Sequence, residues 1–259
     1  MNLHVERLGT TGPELVMLHG WGLSSAIWQP LLDALQPHYR LTLIDLPGLG
    51  RSRALAQTSI DSLLEALLSQ APERALWLGW SLGGSLAIAA AARAPERVSG
   101  LLLAAATPCF VQRQDWPCAM TEATFTAFAC GLQEDPQGTL NRFALLQTRG
   151  SHHARDELRL LKQVMAQTPA EPGGLLATLE LLREDLRTDL ATLKQPVSAL
   201  LGNKDPLVPV AVAQALPALC PQIRVSCHEQ AAHLPFVTDR KRFLDELQQL
   251  VQRCRQDAS

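Results

Sequence analysis

A serine between glycines, at the junction of an apolar run and an alanine-rich segment, constrains the fold more than any other feature. Ala75–Leu78 has the length of a buried strand, Gly79–Gly83 reads G-W-S-L-G, and Leu86–Arg93 has the composition of a helix. The turn between strand and helix has to be tight, so small residues must flank the serine. The pattern therefore predicts that Ser81 is a nucleophile held at a helix N-terminus, where developing negative charge is favoured.

Short apolar runs alternate with helical stretches on both sides of this junction. The predicted buried strands are Leu15–Leu18, Leu41–Ile44, Ala75–Leu78, Leu101–Ala105, Val197–Leu201 and Ile223–Cys227. The predicted helices are Ala26–Leu35, Ser59–Leu68, Leu86–Arg93, Val210–Leu216 and Thr238–Gln252, the last with Thr238 as its cap. Strands buried on both faces that alternate with helices indicate an α/β fold, with a mostly parallel central sheet and flanking helices.

The alternation stops at Thr107-Pro108 and resumes near residue 191. Between these points we find no strand pattern, and Leu175, Leu179, Leu182 and Leu186 have the spacing of one buried helix face. We therefore expect an α/β core formed by residues 1–107 and 191–259. Residues 108–190 are expected to form an all-helical lid inserted into it.

A serine hydroxyl is a weak nucleophile at neutral pH and needs a base, which in turn needs an orienting acid. In this type of fold the chain order is serine, acid, histidine. His233 lies in the loop before the final helix, and we favour it over His228, which ends a strand. Asp205 follows the strand Val197–Leu201, and we favour it over Asp45, which we interpret as structural. The predicted catalytic triad is Ser81, Asp205 and His233.

Two backbone N–H groups are expected to stabilise the oxyanion. One belongs to Leu82, the residue after the nucleophile, and the other to Trp21 in the loop His19-Gly20-Trp21-Gly22. We expect the Trp21 indole to wall the pocket as well, because it is so near the elbow, with a simple core position as the alternative. His19 is expected only to brace the loop.

Composition excludes several other classes of function. The formal net charge is −2 at pH 7, which argues against a nucleic-acid binder. The N-terminal residues do not resemble a signal peptide, and the six cysteines show no C-x-x-C spacing, so we expect reduced thiols and a cytoplasmic protein. We also expect a monomer without a membrane partner. The predicted chemistry needs no metal and no other cofactor.

Several segments together are similar to one family, the pimeloyl-[acyl-carrier protein] methyl ester esterases of biotin synthesis, which have the α/β-hydrolase fold. The elbow and the H-G-W-G loop occur throughout that superfamily, whereas segments in and around the helical insertion narrow the resemblance to this family. They are Thr107–Phe110 (T-P-C-F), Asp115–Pro117 (D-W-P), Arg142–Thr148 (R-F-A-L-L-Q-T) and Ala232–Phe236 (A-H-L-P-F).

The resemblance implies hydrolysis of the methyl ester on a pimeloyl chain attached to an acyl-carrier protein. It also implies carrier-binding roles for Arg142, Arg155 and Arg159, whereas Gly138 stands where relatives carry a further arginine. From the residues alone, Arg155, Arg159 and Lys162 form one helix stripe, which is equally typical of a solvated surface. The substrate-binding residues expected beside Trp21 and Leu82 are Phe143, Ala144, Leu145, Leu146 and Gln147, with a core role as the alternative for Phe143.

The triad alone leaves other functions open, because fold and triad do not determine the substrate. A general short-chain carboxylesterase, a thioesterase and a carbon–carbon bond hydrolase remain alternatives. A non-catalytic binding module of the same fold is a further alternative, although an intact set of three triad residues argues against it.

Overall fold

The computed structural model describes residues 3–168 and 171–256, and its centre is a seven-stranded sheet. The strand order is β1-β3-β2-β4-β5-β6-β7, with β1 antiparallel to β3 and all other pairs parallel. The strands are β1 (Val5–Leu8), β2 (Glu14–Leu18), β3 (Arg40–Ile44), β4 (Ala75–Trp80), β5 (Val98–Ala104), β6 (Val197–Gly202) and β7 (Arg224–His228).

The six predicted strands are present, and the predicted α/β class is confirmed. Strands β4 and β6 are buried along their whole length, because helices cover both faces of a parallel sheet. Strand β1 was not predicted. It is only four residues long and half exposed, and its antiparallel pairing with β3 at the edge leaves no continuous apolar run to recognise.

Eleven α-helices are described, with short 3₁₀ turns at Ser25–Trp28, Pro95–Arg97 and Leu181–Arg183. The helices are α1 (Gln29–Leu35), α2 (Ile60–Gln70), α3 (Leu82–Arg93), α4 (Glu122–Glu134), α5 (Pro136–Thr148), α6 (Ala154–Gln167), α7 (Pro172–Glu180), α8 (Arg187–Thr192), α9 (Val212–Leu219), α10 (Pro235–Thr238) and α11 (Arg240–Gln256). Ten of the twelve residues of α3 are buried, since its small side chains let the helix pack closely on the sheet.

Helices α4 to α8, here called the inserted helices, all lie in the chain between β5 and β6. Thr121 and Asp135 cap the first two of them by accepting a backbone N–H through the side chain. The predicted leucine stripe does not form one helix. Helix α7 ends at Glu180, and Leu182 and Leu186 lie in the following turn and loop, so the helical spacing continues past the end of the helix.

The predicted domain division remains a prediction, and its outer segments, 1–107 and 191–259, extend at their ends beyond the described residues. Residues 1, 2 and 257–259, like 169 and 170 within the expected lid, lie outside that description. In the described ranges, none of the helices combines the length and the apolar character needed to cross a bilayer.

Candidate active site

Ser81 lies at a strained turn between β4 and α3. Its φ of 53° and ψ of −119° are unusual for a residue with a side chain. A Cβ at Gly79 would lie 2.3 Å from the carbonyl oxygen of Gly83, so only glycine fits there. The Ser81 N–H donates to the carbonyl of Ala104 at 3.0 Å, which fixes the turn to β5. The sharp turn holds the hydroxyl at the start of α3, and the residue is only 5% exposed.

The imidazole of His233 is paired with Asp205. His233 Nδ1 donates to Asp205 Oδ2 at 2.7 Å, and both side chains are buried. Asp205 Oδ1 accepts the N–H groups of Leu207 at 2.8 Å and Val208 at 3.1 Å. A proton on Nδ1 leaves the lone pair of the neutral ring on Nε2. That atom is buried and has no hydrogen-bond partner among the described residues, so it is available as a base.

The backbone of His233 is fixed on both sides. Its N–H donates to the carbonyl of Gln147 in α5 at 3.1 Å, and its carbonyl accepts the indole N–H of Trp80 at 2.7 Å. The Trp80 and His233 rings are 5.5 Å apart between centroids. Trp80, the residue before the candidate nucleophile, therefore contacts the candidate base directly. Its place in the G-W-S-L-G motif gave no indication of this contact.

His19 braces its loop, as predicted. Its Nδ1 donates to the carbonyl of Gly20 at 2.8 Å, and its Nε2 accepts the N–H of Leu46 at 2.9 Å. Burial lowers the pKa of His19, although the charge of Asp45 and the hydrogen bond to Gly20 act in the opposite direction. The lowered pKa favours the neutral imidazole.

Asp45 occupies a structural position beside the loop that follows β3. Its carboxylate accepts the N–H groups of Ser25 at 2.7 Å and Arg51 at 2.8 Å. Burial opposes its ionisation, but His19, Ser25 and Arg51 together hold the pKa of Asp45 below its usual value. The rival histidine, His228, ends β7 with both ring nitrogens buried and without partners among the described residues, and burial lowers its pKa.

The H-G-W-G loop lies against the candidate nucleophile. A Cβ at Gly20 would be 3.3 Å from Ser81 Cβ, so the backbone of this loop approaches Ser81 closely. Trp21 donates its indole N–H to the carbonyl of Leu175 in α7 at 2.9 Å. Leu82 is the first residue of α3, so its N–H has no carbonyl one turn earlier to bond with. These positions fit the predicted oxyanion donors, whose role remains a prediction.

An aromatic cluster joins Trp21 to the inserted helices. The Trp21 ring makes edge contacts with Phe143 at 5.2 Å and Phe128 at 5.3 Å between centroids. The two phenylalanines are 5.3 Å apart. Phe128 was missed, because its position in α4 has no periodicity that distinguishes it from other apolar residues.

The expected substrate wall 144–147 is only partly on the inner side of α5. Ala144 and Gln147 are buried and Leu146 is half buried, whereas Leu145 is 53% exposed. Consecutive helical residues point about 100° apart, since an α-helix has 3.6 residues per turn, so four in a row cannot face one pocket. Leu145 was expected in the substrate wall, but it lies on the outer surface.

The three expected carrier-binding arginines are exposed. Arg142 and Arg155 line one surface groove together with Leu145, Leu158 and Arg149. Arg159 pairs with Asp156 at 2.9 Å on the same helix.

Arg142 contacts Asp135 at 3.5 Å, near the start of α5. At this helix start, Asp135 also accepts the N–H of Gly138 at 2.9 Å.

No group of three or more histidine, cysteine or acidic side chains that could hold a metal ion occurs within the described ranges.

The structure combines three features of the α/β-hydrolase class. They are a buried histidine–carboxylate pair, a serine at a strand–turn–helix junction and a mostly parallel sheet. Residues 13–239 match the sequence pattern of the alpha/beta hydrolase fold family. An esterase from Exiguobacterium antarcticum superimposes with a TM-score of 0.86 at 24% identity, covering 96% of this chain and 95% of that one. A bromoperoxidase from Bacillus anthracis also gives 0.86, at 23% identity, with 96% and 95% coverage. At these identities the likeness shows the fold.

Curated relatives narrow the class. The "Pimeloyl-[acyl-carrier protein] methyl ester esterase" of Pectobacterium atrosepticum is 42% identical over 95% of this chain and 96% of its own length. The proteins of the same name from Edwardsiella ictaluri and Nitrosomonas europaea are 44% and 40% identical, covering 89% and 94% of this chain and 90% and 97% of theirs. The chain belongs to the family of pimeloyl-[acyl-carrier protein] methyl ester esterases.

Proposed function

We propose that the chain is a serine carboxylesterase that hydrolyses the methyl ester of a pimeloyl group carried by an acyl-carrier protein. The product is the free terminal carboxylate on the carrier-bound chain, together with methanol. The observation that carries the proposal is the buried His233–Asp205 pair at 2.7 Å. Trp80, which directly precedes Ser81 at the start of α3, donates a hydrogen bond to the carbonyl of His233. Membership of a family named for this reaction supports the substrate.

The reaction proceeds in two half-reactions. Ser81 Oγ attacks the ester carbonyl while His233 Nε2 takes its proton, and the N–H groups of Leu82 and Trp21 stabilise the oxyanion. The imidazolium, stabilised by Asp205, then protonates the departing methanol. Water attacks the acyl-enzyme with His233 again as base, which regenerates the Ser81 hydroxyl.

The aromatic cluster supports binding of a chain of methylene groups. The ring of Trp21, which belongs to the loop that approaches Ser81, makes edge contacts with Phe128 and Phe143. Burying each CH₂ of a ligand against such a surface contributes about 0.8 kcal/mol. Ala144 and Gln147, which are buried, extend the wall on the inner side of α5, whereas Leu146 lines the same surface groove as Leu145.

The carrier binds the outer side of the inserted helices. Arg142 and Arg155 lie around one groove, where Leu145 offers an exposed apolar contact. Arg155 makes no ion pair in the described part of the chain, so it can pair with an acidic carrier without first breaking a bond. Arg159 adds charge one turn further along α6, and Gly138 contributes none.

The same proposal includes a cytoplasmic location and a monomeric state. Among the described residues, Cys109, Cys118, Cys130, Cys220 and Cys227 form no disulfide, which fits a reducing compartment. A monomer leaves the groove around Arg142 and Arg155 open to a carrier.

The test compares a carrier-bound pimeloyl methyl ester with a short aryl ester on charge-reversal variants. Arg155→Glu and Arg159→Glu should lower kcat/KM for the carrier-bound ester by roughly tenfold or more in low salt, because a like charge then faces an acidic partner. The aryl ester should be hydrolysed at the unaltered rate. Arg74→Glu, which reverses an exposed charge just before the amino end of the central strand β4, is the matched control.

Equal losses on both substrates would count against carrier docking at these arginines. A general short-chain esterase is the alternative function, and a large preference of the unmodified enzyme for aryl esters would favour it.

A further inference from the structure

A carboxyl group is fully buried where helix α6 meets the segment that follows His233. Glu157 has no exposed surface, which is rare for this residue type. Its Oε1 accepts from the Ser151 hydroxyl at 2.7 Å and is also in hydrogen-bond contact with the Thr238 hydroxyl. Its Oε2 is buried without a partner in the described part of the chain. Such a group costs folding free energy, so packing alone does not explain it.

The hydroxyl of Thr238 has three contacts but only one hydrogen. It lies 3.1 Å from the carbonyl of Leu234, four residues earlier, and 3.4 Å from the Ser151 hydroxyl, and it also contacts Glu157. If Thr238 donates to Leu234, then Glu157 must donate to Thr238, which requires a protonated acid. Burial raises the pKa of Glu157, against the lowering effects of the Thr238 and Ser151 hydroxyls and of His153 and His233. A neutral acid therefore fits both the hydrogen count and the burial.

These bonds form a short path to the candidate base. Thr238 is the last residue of α10, and the carbonyl that it reaches belongs to Leu234, the direct neighbour of His233. The predicted role of Thr238 as cap of the final helix is wrong. Asp239 accepts the N–H of Arg242 at the start of α11 instead, which leaves the Thr238 hydroxyl to contact Glu157.

The other end of the same loop is also held by the chain just before α6. The N–H of His152 donates to the carbonyl of Gln230 at 3.0 Å, three residues before His233. The loop is thus fastened at residue 230 and at residue 238 to one stretch of the inserted segment, 151–157. The loop that carries the imidazole is therefore attached to that stretch, in addition to the direct contact of His233 with Asp205.

We propose that Glu157 is a positioning residue for the candidate base, fixing the loop of His233 through Thr238 and so holding the imidazole in place to accept the proton of Ser81. The inference rests on the proposed function, since it assigns a purpose to the geometry of His233. Glu157 does not touch the substrate. It acts through a neutral hydrogen bond from the inserted helices to α10.

Two pairs of variants test this role. Thr238→Val removes the hydroxyl at nearly constant shape, while Thr238→Ser keeps it. Glu157→Leu removes the carboxyl, while Glu157→Gln keeps one donor and one acceptor without a titratable proton. Thr168→Val is the matched control, because Thr168 makes the same bond to the carbonyl four residues earlier, at the far end of α6.

The measurement is the acylation rate constant from the p-nitrophenolate burst with p-nitrophenyl acetate, well below each variant's Tm. Thr238→Val and Glu157→Leu should lower this rate constant roughly 10- to 100-fold at unchanged KM, because a small displacement of a catalytic group has effects of that size. Thr238→Ser, Glu157→Gln and Thr168→Val should acylate at nearly the rate of the unmodified protein.

A lower Tm with unchanged acylation in Thr238→Val would show a purely structural bond and would overturn the inference. Slow acylation in Glu157→Gln would equally overturn it, because an amide NH₂ in place of Oε1 still donates to the Thr238 hydroxyl. If Glu157→Leu does not fold, the Thr238 pair decides alone. No hydrolysis of p-nitrophenyl acetate by the unmodified protein would instead contradict the proposed function.

Discussion

Replacing Asp205 with asparagine changes one atom of the site, and the structure determines which way the new amide points. Asp205 Oδ1 accepts two backbone N–H groups, from Leu207 and Val208, while Oδ2 faces His233 Nδ1 at 2.7 Å. In Asp205→Asn the oxygen stays beside the two N–H donors, because the reversed amide would set its NH₂ against both of them. The NH₂ then faces Nδ1, so the imidazole must accept there and carry its proton on Nε2.

A ring protonated at Nε2 cannot accept the proton of Ser81. We expect kcat to fall about 10⁴-fold, the loss that the equivalent wrong-tautomer change causes in a serine protease. At 1.36 kcal/mol for each tenfold change, this equals about 5.4 kcal/mol of transition-state stabilisation. The assay is steady-state hydrolysis of the carrier-bound methyl ester, with thermal unfolding as control, because the two backbone bonds should preserve the fold. A folded variant with kcat within about tenfold of the unmodified enzyme would refute the reasoning.

Three further predictions concern stability and the support of the site. Trp80→Phe removes the indole bond to a buried carbonyl and should cost about 1–3 kcal/mol of unfolding free energy, measured by urea denaturation, and lower kcat. Gly174→Ala should destabilise the folded protein, because the new Cβ would lie 2.1 Å from the Gly48 carbonyl oxygen. A Cβ at Gly173 meets nothing within 4 Å, so Gly173→Ala should raise the free energy of unfolding by about 0.4–1 kcal/mol. Burial lowers the pKa of His19, so at acidic pH the unfolded chain binds a proton that the folded chain does not. The urea midpoint should therefore fall as the pH drops below 6.5. In His19→Gln this fall should be less steep.

The residues proposed for chemistry were predictable because each occupies a local pattern. Ser81 has its glycines, Asp205 follows a buried strand, and His233 precedes the last helical stretch. Parallel strands bring their carboxyl ends to one edge of a sheet. Residues that directly follow these strands can therefore be expected to lie near one another.

The contacts between the inserted helices and the core could not be predicted in the same way. Glu157 and Thr238 are 81 positions apart, and neither shows by periodicity that it is buried against the other. The outward position of Leu145 and the aromatic contacts of Phe128 also depend on how a helix is rotated against its neighbours. That rotation is set by packing between distant segments rather than by local sequence.

The most direct test of the central claim is to locate a covalent adduct after reaction with a serine-directed fluorophosphonate. Peptide mass spectrometry should find one phosphonylated residue, Ser81, and the Ser81→Ala variant should carry none. His233→Ala should react far more slowly, because the hydroxyl then has no base. An adduct on a different serine, or none on the folded protein, would contradict the assignment of Ser81 as nucleophile.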